Sequence, residues 1–212
     1  MEQLQYVIED STIAELLGVQ NFSSDESAVL ELVKNAYDAG AKTVTLSFYE
    51  NELTVVDDGN GMNSEDIRQH WMHVGKSPKA YDTTNEHGER RVLSGAKGVG
   101  RFALARLGRK VKLTSKKVGF SGIVWETDWN SSTLGEAIEA IEKGTIIRIE
   151  DLREKWGKKK VEKLANFLSK TYNDDRMSII IEHPEINCHV AKFFCDPKIG
   201  ENFLSLINLS YS

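Results

Sequence analysis

The chain has 212 residues, of which 40% are hydrophobic and 28% charged, a balance that supports a large buried core and excludes a wholly disordered chain. Its net charge of -5 excludes a generally basic, nucleic-acid-coating surface, although a local basic patch is compatible with it. No apolar run is long enough to cross a bilayer, the polar and acidic start is unlike a secretory leader, and two cysteines make no disulfide framework, so a cytoplasmic location without membrane contact is the expectation.

In chain order, the first strong periodicity follows Ser23 and Ser24. Val29, Leu32, Val33, Ala36 and Tyr37 share one face of a helix predicted over Asp25–Ala39, with a serine as N-cap and Gly40 as the C-terminal stop. The alternating, β-branched run Thr43–Tyr49 predicts a strand, Asn51-Glu52 a hairpin turn and Leu53–Val56 the returning strand. Ser64 is expected to cap a short helix over Glu65–Met72. Residues 75–95 are polar and aperiodic, longer than a simple connection. A helix over Val99–Leu107 opens from a glycine-rich turn. Strands are expected at Lys110–Ser115, Phe120–Thr127, Thr145–Ile149 and Ser178–Glu182, and helices at Leu134–Glu142 and Lys158–Ser169. The order mixes hairpins with helices and lacks a regular βαβ repeat. It predicts an α/β (α+β) two-layer sandwich, a mixed, mostly antiparallel sheet covered by helices on one face.

Three segments carry chemistry-bearing residues. Glu31 and Asn35 stand four apart on one helical face. A carboxylate there suits a general base, and a carboxamide oxygen one turn later suits a hard cation such as Mg²⁺. Taken alone, a solvated polar stripe is the better explanation of them. Asp57-Asp58-Gly59-Asn60-Gly61-Met62 follows a strand. A carboxylate at a strand end can accept from an exocyclic amine, and the glycines allow a flat ring close to the backbone; the plainer alternative is an Asp-Gly turn. Gly95-Ala96-Lys97-Gly98-Val99-Gly100-Arg101 leads into a helix and would expose N–H groups to phosphate. It is neither a Walker A loop nor a clean dinucleotide fingerprint.

Together, Glu31-x-x-x-Asn35 with Asp38-Ala39-Gly40, then Asp57-x-Gly59-x-Gly61-Met62, then Gly95-x-x-Gly98-x-Gly100 resemble the Bergerat ATP-binding fold of the gyrase, heat-shock-chaperone, histidine-kinase and MutL superfamily. Gly144-Thr145 before Ile146–Ile149 resembles the last motif of that family. In motif style the chain looks most like MutL- and MORC-type and stand-alone bacterial ATPases. The resemblance covers roughly residues 11–151 and implies Mg²⁺-dependent ATP binding and slow hydrolysis that drive a conformational or dimerisation switch.

By that resemblance, Glu31 is the general base and Asn35 the Mg²⁺ ligand. Asp57 accepts from the adenine amine, with Thr145 in support. Gly59 and Gly61 admit the base, and Met62 packs on it. Lys97, Gly98, Val99 and Gly100 bind the phosphates. Asp38 belongs to the motif, with a structural role. The segment about 76–97 becomes a lid over an ATPase domain spanning 1–182, and 183–212 an extension that resembles the start of a cut-short transducer domain. The expected partners are ATP and ADP, a second copy in an ATP-dependent homodimer, and nucleic acid only through domains beyond this chain. A histidine-kinase catalytic domain and a non-hydrolysing ATP sensor are the alternatives. His183, Cys188, His189 and Cys195 match no usual structural zinc spacing; buried cysteines and surface histidines are the plainer expectation. The four tryptophans are expected as core or interface anchors, and Lys158–Lys160 as a solvated basic face.

Overall fold

The computed structural model describes residues 8–74, 82–84, 90–92, 100–138, 141–172 and 174–190. Helix α1 (Asp10–Ala14), absent from the sequence reading, widens into a π-helical turn at Glu15–Val19. Helix α2 (Asp25–Asp38) starts where Ser24 caps it: Ser24 Oγ accepts from Ser27 N at 3.1 Å, and Ser27 Oγ accepts in return from Ser24 N at 3.2 Å. This reciprocal pairing satisfies two donors at the helix start. The stripe Ala28, Val29, Leu32, Val33, Ala36 and Tyr37 is buried, each large member contributing about 1.5–3 kcal/mol over exposure. Gly40, at φ +80°, turns the chain out of the helix.

Strands β1 (Thr43–Tyr49) and β2 (Glu52–Asp57) form a hairpin whose turn falls at Glu50-Asn51, one residue earlier than the sequence suggested. Helix α3 (Ser64–Asp66) continues as a π-helical turn at Ile67–Trp71. Its cap is Asn63 and not Ser64: Asn63 Oδ1 accepts from Asp66 N at 2.9 Å, and the Asp66 carboxylate accepts from Asn63 N at 3.0 Å. After the short pair β3 (Asp82–Thr84) and β4 (Arg90–Val92), a 3₁₀ turn at Gly100–Phe102 opens α4 (Ala103–Leu107). Then come β5 (Gly108–Lys116), β6 (Ile123–Thr127), β7 (Ser132–Glu136), β8 (Gly144–Leu152), α5 (Lys158–Thr171), β9 (Ser178–His183) and β10 (Ile186–His189).

The helix expected over Leu134–Glu142 is a strand over its first part, β7. Leu134, Ala137, Ile138 and Ile141 imitate helical spacing, but Gly135 weakens a helix there. Strand β6 also offers a complete antiparallel ladder from Ser132 to Glu136, and that pairing overrides the short periodicity. Phe120 lies in the turn ahead of β6, exposed beside Gly119 at φ +83°.

Eight strands form one sheet in the order β10-β9-β1-β2-β8-β5-β6-β7, antiparallel except where β1 runs parallel to β9. Val44, Leu46 and Phe48 of β1, Leu53 and Val55 of β2, and Ile147 and Ile149 of β8 join α2, α4 and α5 in one core. Alternate residues such as Thr45, Thr54 and Arg148 face away from that core. Among the described residues no helix is long and apolar enough to cross a membrane. The result is the two-layer, mostly antiparallel α/β sandwich that the sequence predicts.

Candidate functional site

Helix α2 turns its uncommitted face toward the start of α4. Glu31 and Asn35 are both half-buried on that face. A Cβ on Gly100 would stand 3.3 Å from Glu31 Oε2 and 3.9 Å from the Asn35 amide atoms. A side chain there would press on the Glu31 carboxylate and touch the Asn35 amide at ordinary contact distance, so Gly100 stands directly beside both groups. The N-terminal arm braces this turn from behind: a Cβ on Gly18 would be 2.6 Å from the Phe102 carbonyl oxygen. Lys34 Nζ donates to Glu31 Oε1 at 2.9 Å, which leaves Oε2 on the Gly100 side. The Asn35 carboxamide has no hydrogen-bond partner among the described residues.

The second cluster sits at the ends of β2, β8 and β5. Asp57 faces Thr145 across the β2–β8 ladder, and Thr145 faces Ser115 across the β8–β5 ladder. Asp57 Oδ1 accepts from Gly59 N at 2.9 Å. Burial pushes the Asp57 carboxyl up to about 6, the neighbouring Asp58 charge adds to the rise, and the Gly59 N–H opposes it. Two glycines make the backbone approach possible. Gly61 has φ +66°, and a Cβ on it would lie 2.0 Å from the Lys116 carbonyl oxygen. Gly144 has φ +111°, and a Cβ on it would lie 2.1 Å from the Asp57 carbonyl oxygen. Any side chain at either position would force the strand ends apart. Met62 is half-buried and packs against the core edge, and its N–H donates to Ser115 Oγ at 2.8 Å. Lys117 Nζ meets Asp66 at 3.0 Å and ties the β5–β6 turn to α3.

Of the expected site residues, Glu31, Asn35 and Gly100 come together on one face of α2, and Asp57, Gly59, Gly61, Met62 and Thr145 gather at the ends of β2 and β8. Asp38 is the last residue of α2. Lys97, Gly98 and Val99, the lid segment about 76–97 (apart from the backbone of β3 and β4) and Cys195 lie outside the described residues. Asp58 accepts from Lys42 N at 2.7 Å and Thr43 N at 2.9 Å and so fixes the α2–β1 connection. Ser115, which the sequence does not mark, joins this cluster only through the β5–β8 register, where it lies fully buried opposite Thr145.

The remaining features are structural. Trp125 and Trp156 are core residues, and the Trp71 and Trp125 rings meet edge-on at 5.7 Å. The basic stretch expected to be a solvated face is partly committed: Lys160 pairs with the buried Asp25 and lies 4.5 Å over the Trp156 ring. Cys188 is buried, which pushes its thiol up, and the His183 ring nitrogen lies 3.2 Å from the Trp156 carbonyl oxygen. Among the described residues no three His, Cys, Asp or Glu side chains converge as a metal site.

The family model described as "Histidine kinase-, DNA gyrase B-, and HSP90-like ATPase" matches residues 22–167. Similar proteins include HgiDII of Herpetosiphon aurantiacus, named as a candidate type II restriction enzyme, at 28% identity over 74% of this chain and 28% of its own length. The chaperone protein HtpG of Sulfurovum sp. is 27% identical over 87% of this chain and 34% of its own. The DNA mismatch repair protein MutL of Clostridium beijerinckii is 26% identical over 69% of this chain and 22% of its own. The chain thus spans about a third or less of the length of these relatives.

Proposed function

The chain belongs to the histidine kinase-, DNA gyrase B- and HSP90-like ATPases, and from that premise we propose that it binds ATP with Mg²⁺ and hydrolyses it slowly. The observation that carries this reading is the meeting of Gly100 with Glu31 and Asn35, which joins two motifs far apart in sequence into one polar cluster. Adenine lies at the Asp57–Thr145 end, where Asp57 accepts from its amino group while Gly59, Gly61 and Met62 line the base. The phosphates lie toward Gly100 and the preceding Lys97, Gly98 and Val99.

Glu31 takes a proton from the attacking water as that oxygen bonds to the γ-phosphorus. The bond from phosphorus to the β–γ bridging oxygen breaks, and ADP leaves with the electron pair. Asn35 offers an uncommitted carboxamide oxygen beside that carboxylate, a donor type that suits a hard cation. Mg²⁺ held there supplies charge neutralisation of the phosphates. Residues 1–182 act as the ATPase module, with β10 lengthening its sheet. In a larger protein, ATP binding drives a conformational or dimerisation switch. The process it serves is set by domains beyond this fold.

The test is phosphate release together with ATP binding in wild type and Glu31→Ala. Turnover falls at least about 10²-fold in the variant while binding stays within a few-fold of wild type. Equal turnover in both proteins sinks Glu31 as the base.

A further inference from the structure

The row that carries Asp57 and Thr145 holds a third polar side chain that no motif marks. Ser115 stands opposite Thr145 on β5, as Asp57 does on β2. Residues directly opposite in an antiparallel ladder point to the same face of the sheet. The three therefore form one line across β2, β8 and β5. Buried apolar residues close it at both ends: Val44 is opposite Asp57 on β1, and Ile123 is opposite Ser115 on β6. Ser115 is fully buried and Thr145 is 5% exposed. Two hydroxyls in an apolar face cost free energy unless their protons and lone pairs are used.

The geometry fixes how they are used. Ser115 Oγ is 2.8 Å from Met62 N, 2.9 Å from the Gly144 carbonyl oxygen and 2.9 Å from Thr145 Oγ1. A backbone N–H only donates and a carbonyl oxygen only accepts. Ser115 therefore accepts from Met62 and gives its single proton to Gly144. Its remaining lone pair takes the Thr145 proton. Every valence of Ser115 is then filled, and Thr145 has no proton left for anything in the cleft. It presents a lone pair. Asp57 presents another acceptor beside it: Oδ1 is held by Gly59 N, and Oδ2 has no partner among the described residues.

We propose that Ser115 is a positioning residue that locks Thr145 as a hydrogen-bond acceptor, so that the Asp57–Thr145 edge selects purines carrying a 6-amino group and rejects those carrying a 6-oxo group. This deepens the ATP-binding reading and rests on it. An amino group brings two N–H donors to two acceptors. A 6-oxo group brings a third acceptor, and burying acceptors unpaired costs about 1–3 kcal/mol. Ser115 also ties the turn carrying Met62 to the start of β8, so the groups that would line the base share one anchor.

The experiment is calorimetry with ATP and inosine triphosphate at pH 8, on wild type, Ser115→Ala, Ser115→Thr and the isosteric Thr145→Val, each checked for folding by circular dichroism. Wild type prefers ATP. Ser115→Ala frees the Thr145 proton to turn toward a 6-oxo group, so the preference narrows about tenfold, and Ser115→Thr, which keeps the hydroxyl, restores it. Thr145→Val, independent of whether the alanine variant folds, loses affinity for ATP and none for inosine triphosphate. Equal weakening of both nucleotides in Ser115→Ala, or a loss of inosine triphosphate affinity in Thr145→Val, overturns the assignment while leaving ATP binding intact. Folded wild type that binds neither nucleotide overturns the function reading and this inference together.

Discussion

Helix α2 carries two kinds of polar side chain within two turns of each other. At its N-terminal end Asp25 is 6% exposed and saturated: Arg106 Nε reaches one oxygen at 2.8 Å and Lys160 the other. Glu26 beside it pairs with Lys163 at 2.8 Å, and although burial raises its carboxyl, the hydrogen bonds from Lys163, the backbone and Ser24 outweigh that and hold it below its ordinary value. In the middle of the helix Glu31 keeps an oxygen toward Gly100, and the Asn35 carboxamide has no partner among the described residues. The two acids that hold the helix start are paired with cations from far along the chain. Glu31 and Asn35 keep valences in reserve, and reserve is what a ligand needs.

Three substitutions break or sharpen that contrast. Asp25→Ala strands two partly buried cations and removes the clamp among α2, α4 and α5. It should cost about 2 kcal/mol, lowering Tm by about 4–8 °C in thermal melts, with ATP affinity of the folded protein unchanged. A loss below about 0.5 kcal/mol would mean the saturated end is not structural.

Asp57→Asn should have a smaller effect of the opposite sign. The native carboxyl holds its proton up to about 6, against an ordinary 3.8. Between those values the unfolded chain releases its proton first, so stability falls as pH rises through that window and is flat above it. An amide does not ionise, so Asp57→Asn should lose that slope and be about 1–2 kcal/mol more stable than wild type at pH 7, after discounting for partial exposure. ATP binding should meanwhile weaken, because the amide offers the purine amine a poorer match. Denaturant titrations from pH 4 to 8 check the first part, and parallel slopes for the two proteins would contradict it.

The smallest effect belongs to Lys34→Met. Its ion pair with Glu31 is an i,i+3 surface contact with side chains 36% and 27% exposed, worth about 0.3–0.5 kcal/mol. A stability loss above about 1 kcal/mol in the same titration would place Glu31 with the structural acids.

Much of this was legible in the sequence, for local reasons. The α2 stripe, its serine cap and the alternation in β1 and β2 are each written within one turn or one strand. The glycines at 59, 61 and 144 mark close backbone approaches that a Cβ would obstruct. What was not legible depends on pairing across long separations. Ser115 acquires its role only from the β5–β8 register, and Asp25 finds Arg106 and Lys160 far along the chain. Strand β7 was misread because four apolar residues imitate a helix where β6 supplies the stronger ladder. The cap of α3 moved by one residue because Asn63 and Asp66 satisfy each other where Ser64 has no such partner.

The most direct test of the account is calorimetric titration of ATP with Mg²⁺ into wild type, Glu31→Ala and Asp25→Ala, with phosphate release measured on the same samples. All three proteins should bind ATP alike, and only Glu31→Ala should lose turnover. A folded wild type that takes up no ATP, or an Asp25→Ala that loses turnover as fully as Glu31→Ala, would contradict it.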